Sequence, residues 1–202
     1  AATAVLADGR VDADEHIGRH IRALADGWPD RDLWICAVRQ RDLRRVVFGR
    51  DVDAGLADAV AASCSIPGYF RPTRVDGELF LDGGVRSPTN ADVLRRSEVD
   101  VAVVVSPMSG RDLPRFHPGA AVRRHAKARV DHEVRVLRDH GTPSVVIEPG
   151  PATAGLIGDH PLRDDHLREV VTATFLETGE QLLSSAARLL GRRRPDLAGA
   201  AS

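Results

Sequence analysis

Residues 61–90, AASCSIPGYFRPTRVDGELFLDGGVRSPTN, decide how the rest of the chain is read. The stretch opens as a small-residue helix. It breaks at Ile66-Pro67-Gly68, because proline disfavours helical geometry in the residue before it. Val75-Asp76-Gly77-Glu78 carries the Asp-Gly pair of a two-residue hairpin. Residues 78–81 are then a strand that delivers Asp82, and Gly83 and Gly84 follow. Glycines at such a point allow positive φ or a close approach of the backbone to another group. A carboxylate at the carboxyl end of a strand in an α/β sheet stands where such sheets place their ligands. Asp82 is therefore the candidate for chemistry, with Gly83 and Gly84 shaping the turn that presents it. Taken alone, Asp-Gly is also a common turn, as read at Asp8-Gly9 and Asp26-Gly27.

Outward from this stretch, helices and strands alternate. Asp12 and Glu15 have capping-box spacing, and Ile17, Ile21 and Leu24 follow on one helical face that ends near Asp26-Gly27. Residues 33–38 form a short apolar run bounded by charge, a buried strand with 45–48 as hairpin partner. Residues 54–64 are an Ala-rich helix. Residues 91–96 are a short helix with Thr89 or Asn90 as cap, and 99–105 and 144–148 are buried strands. Between them, 106–118 is a loop and 119–140 a helix stopped by Gly141. Residues 149–161 are a Gly/Pro-rich loop. Residues 162–190 are a long helix with Leu167, Val171, Phe175, Thr178 and Leu182 on one face. Residues 191–202 form a solvated, disordered tail. Strands alternating with helices imply an α/β layered fold with a largely parallel central sheet.

The motifs in 61–90 closely resemble those of patatin-like phospholipases. In that family a helix of the type Ala-Ala-Ser-x-x-Ile-Pro precedes a hairpin of the form x-Asp-Gly-x-x-x-x-Asp-Gly-Gly. Here these are residues 61–67 and 76–84. Residues 85–90, Asp92 and Trp28-Pro29 look like the bacterial branch, and the likeness runs from about residue 12 to 106. The resemblance implies a three-layer α/β/α sandwich and a lipid acyl hydrolase, phospholipase or esterase, with a Ser-Asp dyad. A serine in a Gly-x-Ser-x-Gly elbow attacks the ester carbonyl, Asp82 takes its proton, and a glycine-rich loop stabilises the oxyanion. A serine hydroxyl is a poor nucleophile without such a base.

The sequence contains neither Gly-x-Ser-x-Gly nor the glycine-rich loop. The resemblance then implies that both lie upstream of Ala1, so that residues 1–190 are the carboxy-terminal portion of a patatin-like domain. The chain alone carries half a dyad and is expected to be inactive. Other nucleophiles have simpler roles: Ser63 and Ser65 pack in a helix, Cys64 is a small core residue, Ser87 belongs to a turn, and Ser106 precedes Pro107 rather than an elbow glycine. The rival function is a non-catalytic α/β binding or interaction protein on the same scaffold. A third is a metal-dependent hydrolase using His160, Asp164, Asp165 and His166.

Composition bounds the partners. With 28 basic and 29 acidic residues the net charge is −1, which excludes nucleic-acid binding driven by bulk charge. Arg123, Arg124, Lys127 and Arg129 read as a polar helix face, though transient contact with a membrane surface is compatible with them. No apolar run reaches the ~18–20 residues that span a bilayer. Two cysteines without Cys-x-x-Cys spacing suit reduced thiols in a cytoplasmic protein. His16 and His20 lack the glutamate of a His-Glu-x-x-His metal site and read as an exposed helix face. The resemblance implies neither metal nor organic cofactor, and a lipid or other ester as substrate.

Overall fold

The computed structural model describes residues 9–110, 120–157 and 166–192. They form two compact units, divided between Asn90 and Ala91.

The first unit is built on a four-stranded sheet in the order β2-β1-β4-β3, with β1 Ile35–Arg39, β2 Arg45–Phe48, β3 Thr73–Val75 and β4 Glu78–Asp82. Every pairing in it is antiparallel. The largely parallel sheet expected from strand–helix alternation is not found here, and for the β1–β2 and β3–β4 pairs the short links explain why. Five residues join β1 to β2, and Asp76-Gly77 alone joins β3 to β4. Links this short reverse the chain, whereas a parallel crossover needs a dozen or more residues. Asp76 and Gly77 both take positive φ (47° and 83°), the backbone of the tight hairpin that their sequence predicts.

Helix α1, Arg19–Leu24, continues from a π-helical turn over Asp14–Gly18. The Asp12 carboxylate accepts the N–H of Asp14 at 2.8 Å and of Glu15 at 3.3 Å, so the expected capping residue does cap this segment. Helix α2, Leu56–Ser63, packs on the sheet through Ala59 and Ala62, whose small side chains let the helix approach closely. Beneath it Phe48 and Phe80 meet edge to face, their ring centroids 5.2 Å apart, with Ala37, Val46 and Val75 closing the core. Such aromatic pairs add about 0.5–1.5 kcal/mol beyond area burial.

The second unit holds the parallel pairing. Strands β5, Ala102–Val105, and β6, Ser144–Ile147, pair in register Ala102↔Ser144 to Val105↔Ile147, with α3, Ala120–Asp139, between them in the chain. Val130, Val134 and Leu137 of α3 pack against Ala102 and Val104 of β5 and against Ala91. The α/β class therefore stands. Residues 91–96 form a 3-10 helix rather than an α-helix. Arg123 is buried and donates to the Pro107 carbonyl at 3.1 Å, and Lys127 pairs with Asp131 and with Glu148. At least two of the four cations expected on a solvent face are thus used inside the unit.

Two expectations for the carboxy-terminal part change. Within 149–161, expected to be a loop, Pro151–Ile157 is a helix, α4. Proline suits the first helical position, and Glu177 accepts the N–H groups of Gly150 (2.9 Å) and Ala152 (3.0 Å), capping the helix from a distance. The long helix α5 is Leu167–Arg192. Its apolar stripe is exposed rather than packed: Leu167 is 61%, Val171 58% and Phe175 78% accessible. The packed side is polar. Glu177 caps α4, and Gln181 exchanges two hydrogen bonds with the backbone of Glu148 at the end of β6. The parts of the expected loops at 111–118 and 158–161, the expected helix start at 162–165 and tail residues 193–202 lie outside the described residues. Among the described residues, no helix is long and apolar enough to cross a membrane.

Candidate active site

Asp82 is the last residue of β4. Its Cα faces Ala37 of β1, and its N–H donates to the Ser65 carbonyl at 3.0 Å, just beyond the end of α2. Ser65 is itself anchored: its buried Oγ donates to the Ala61 carbonyl at 2.8 Å and meets Thr73 Oγ1 of β3 at 2.7 Å. The main chain at Asp82 is thus tied to a helix end and to the neighbouring inner strand β1. Because β4 lies in an antiparallel sheet, the ligand-binding rule for parallel sheets does not apply to it. The case for the residue rests on its own geometry.

That geometry is specific. Asp82 is half-buried, and its Oδ1 accepts the N–H of Gly84 at 2.6 Å. Burial pushes the carboxyl up from the ordinary aspartate range, and the Gly84 N–H pulls it partway back. Among the described residues, Oδ2 has no hydrogen-bond partner. One oxygen is held and the other is unengaged by the described residues. The Cys64 thiol is pushed up by burial first and by the nearby Asp82 carboxylate second, so it stays protonated. A protonated thiol is a weak nucleophile.

Gly83 and Gly84 both matter, but not through positive φ, which neither adopts. A Cβ on Gly83 would sit 2.4 Å from the Cys36 carbonyl oxygen of β1. Only glycine fits against that strand. A Cβ on Gly84 would sit 2.8 Å from Asp82 Oδ1, crowding the carboxylate that its own N–H orients. The pair opens a 3-10 turn, Gly83–Val85, capped by the Asp82 side chain.

Asn90, expected as a helix cap, is turned the other way. It is buried with φ 49°, a left-handed conformation that asparagine tolerates better than most residues. Its Nδ2 donates to the carbonyls of Gly83 (3.2 Å) and Ser87 (2.8 Å), and its Oδ1 accepts from Arg45 of β2 at 3.2 Å. The N–H of Ala91 is capped instead by Glu133 Oε2 of α3, at 2.9 Å. Nothing local in the sequence signals this role for Asn90. Ser87 has its expected turn role: its Oγ accepts the N–H of Asn90 at 3.2 Å.

The remaining alternatives gain no partner chemistry. Ser63 ends α2, and Ser106 is fully buried with an Oγ that makes no hydrogen bond among the described residues. His16 Nδ1 pairs with the Asp12 carbonyl and His20 Nδ1 with the His16 carbonyl, so both rings serve their own helix. His160, Asp164 and Asp165 lie outside the described residues. Among the described residues, no group of three or more His, Cys, Asp or Glu side chains is arranged to hold a metal ion.

Comparison with known proteins bears on the segment that carries this geometry. The family model "Patatin-like phospholipase" matches residues 3–95, a little under half of the chain. The match covers β1 to β4, Asp82, both glycines and Asn90.

Proposed function

We propose, from the match of residues 3–95 to the patatin-like phospholipase family model, that the protein is a serine acyl hydrolase of lipid esters in which Asp82 is the general base. The family is one of lipid hydrolases. The finer reading is a Ser-Asp dyad whose serine, in a Gly-x-Ser-x-Gly elbow, comes from a segment preceding this chain. On this reading residues 1–190 are the carboxy-terminal portion of a three-layer α/β/α domain, its parallel sheet extended by strands of that segment. The observation that carries the proposal is the half-buried Asp82 carboxylate, with Oδ1 held by Gly84 and Oδ2 unengaged by the described residues.

The chemistry follows from that carboxylate. The serine proton passes to Asp82 Oδ2 as the serine oxygen bonds to the ester carbonyl carbon. Backbone N–H donors of the same preceding segment hold the oxyanion, each worth about 3–4 kcal/mol. The tetrahedral intermediate collapses, the proton moves from Asp82 to the departing alcohol, and an acyl-enzyme remains. Water then attacks the acyl carbon, giving its proton to Asp82, and the serine leaves with it. A carboxyl lifted above the ordinary range by burial suits both halves of this cycle, because it releases its proton less readily to water than an exposed aspartate does.

The test is covalent labelling. The protein including its preceding segment is treated with a fluorophosphonate, digested and mapped. The label is expected on a serine outside residues 1–202, and residues 1–202 alone are expected neither to label nor to turn over a short-chain nitrophenyl ester. A label on Ser63, Ser65, Ser87 or Ser106, or no label on the protein including its preceding segment, would overturn the proposal.

A further inference from the structure

Asn90 stands eight residues after Asp82 and reaches back to the turn, its Nδ2 donating to the Gly83 and Ser87 carbonyls. Gly83 is confined on one side by the strand: a Cβ there would sit 2.4 Å from the Cys36 carbonyl oxygen, leaving no room for a side chain. On the other side its carbonyl accepts from the N–H of Arg86 (3.0 Å), the N–H of Ser87 (3.2 Å) and Asn90 Nδ2 (3.2 Å). The peptide that carries this carbonyl also carries the Gly84 N–H. Whatever sets the direction of the Gly83 C=O therefore sets the direction of the N–H that meets Asp82 Oδ1, because the peptide unit is planar.

We infer that Asn90 is a positioning residue for the Asp82 carboxylate, acting through the Gly83–Gly84 peptide; the inference rests on the proposed role of Asp82 as base. Side-chain chemistry at position 90 is tightly constrained. The backbone needs a residue that accepts left-handed φ, which leaves glycine, asparagine and aspartate as the favoured choices. The site needs two N–H donors toward the Gly83 and Ser87 carbonyls and one acceptor toward Arg45. Only the amide supplies both. Aspartate would keep the Arg45 contact and set a carboxylate against two carbonyl oxygens. Glycine would keep the backbone and make none of the three bonds. The two substitutions separate the backbone requirement from the hydrogen bonds.

The experiment reads the Gly84 amide by 1H–15N NMR from pH 3 to 8, in the wild type, Asp82→Asn, Asn90→Gly and Asn90→Asp. In the wild type the Gly84 resonance is expected to titrate with the Asp82 carboxyl, and in Asp82→Asn to stay flat. In both Asn90 variants the titration amplitude is expected to fall at least twofold, while the amides of β1 and β3 keep their wild-type positions. Full amplitude in either Asn90 variant overturns the inference. Loss of the β1 and β3 resonances in both variants overturns it as well, since Asn90 would then support the whole sheet rather than this turn. The readout does not depend on catalysis. Unchanged turnover in Asp82→Asn would defeat the proposed function and leave the positioning of the carboxylate standing.

Discussion

The Gly84 N–H donates to Asp82 Oδ1 at 2.6 Å, while a side chain at position 84 would crowd the same oxygen. The second glycine of Asp-Gly-Gly is therefore both the orienting donor and the open space beside the carboxylate. The first glycine meets a different constraint, the Cys36 carbonyl of the neighbouring strand.

These two constraints separate under substitution. Gly83→Ala drives a Cβ into backbone that cannot yield without moving β1, and a destabilisation of about 1–3 kcal/mol is expected, as for overpacked cores. Gly84→Ala crowds only a side-chain oxygen, so its stability loss is expected to be smaller and its effect on turnover larger. Urea unfolding and ester hydrolysis on both variants check this. Equal stability losses would contradict it.

Burial raises the Asp82 carboxyl above its value in the unfolded chain, so the folded state binds that proton more tightly. Its contribution to stability is full below ~3.9, the ordinary aspartate value, and is lost as pH rises through the raised folded value. Asp82→Asn removes this dependence. The variant is expected to melt above the wild type at pH 7, with the gap closing by about pH 4. Thermal melts across that range check the sign; a wild type more stable than the variant at pH 7 would contradict it. For the same reason, turnover is expected to fall on acidification with a midpoint above the ordinary aspartate value.

In the second unit the apolar stripe of α5 and the core of α3 differ in what they support. Leu137 is fully buried, and Leu137→Ala is expected to cost about 2–5 kcal/mol. Phe175 is mostly exposed, and Phe175→Ala is expected to stay within about 0.5 kcal/mol. Glu177→Ala removes the acceptor that caps α4 and is expected to cost about 0.5–2 kcal/mol, the range for lost caps. Calorimetry on the three variants ranks them. Phe175→Ala as damaging as Leu137→Ala would show that the stripe is buried.

What the sequence made legible was local. Asp76-Gly77 forms its hairpin because both residues accept the positive φ that the turn requires. The strand at 45–48 and the arrival of a strand at Asp82 follow from short-range pattern in the same way. Features that depend on distant partners were not legible. α4 is capped by Glu177, about 25 residues away in the chain. The buried side of α5 is chosen by backbone N–H groups that donate to Glu177 and by the two bonds Gln181 exchanges with Glu148, so the apolar periodicity pointed to the wrong face. At the site, Asp-Gly-Gly marked the carboxylate, but its orientation depends on Asn90 and on the Cys36 carbonyl, which no spacing rule brings to residues 82–84.

The central claim is that Asp82 is the base. Its most direct test is the turnover of Asp82→Asn, measured on a short-chain nitrophenyl ester in the protein that includes its preceding segment. The amide keeps the shape of the side chain and can still accept the Gly84 N–H through its oxygen, but it cannot take a proton from serine. Turnover is expected to fall about 10²–10⁴-fold with the fold intact by 1H–15N NMR. Turnover equal to that of the wild type would contradict the account.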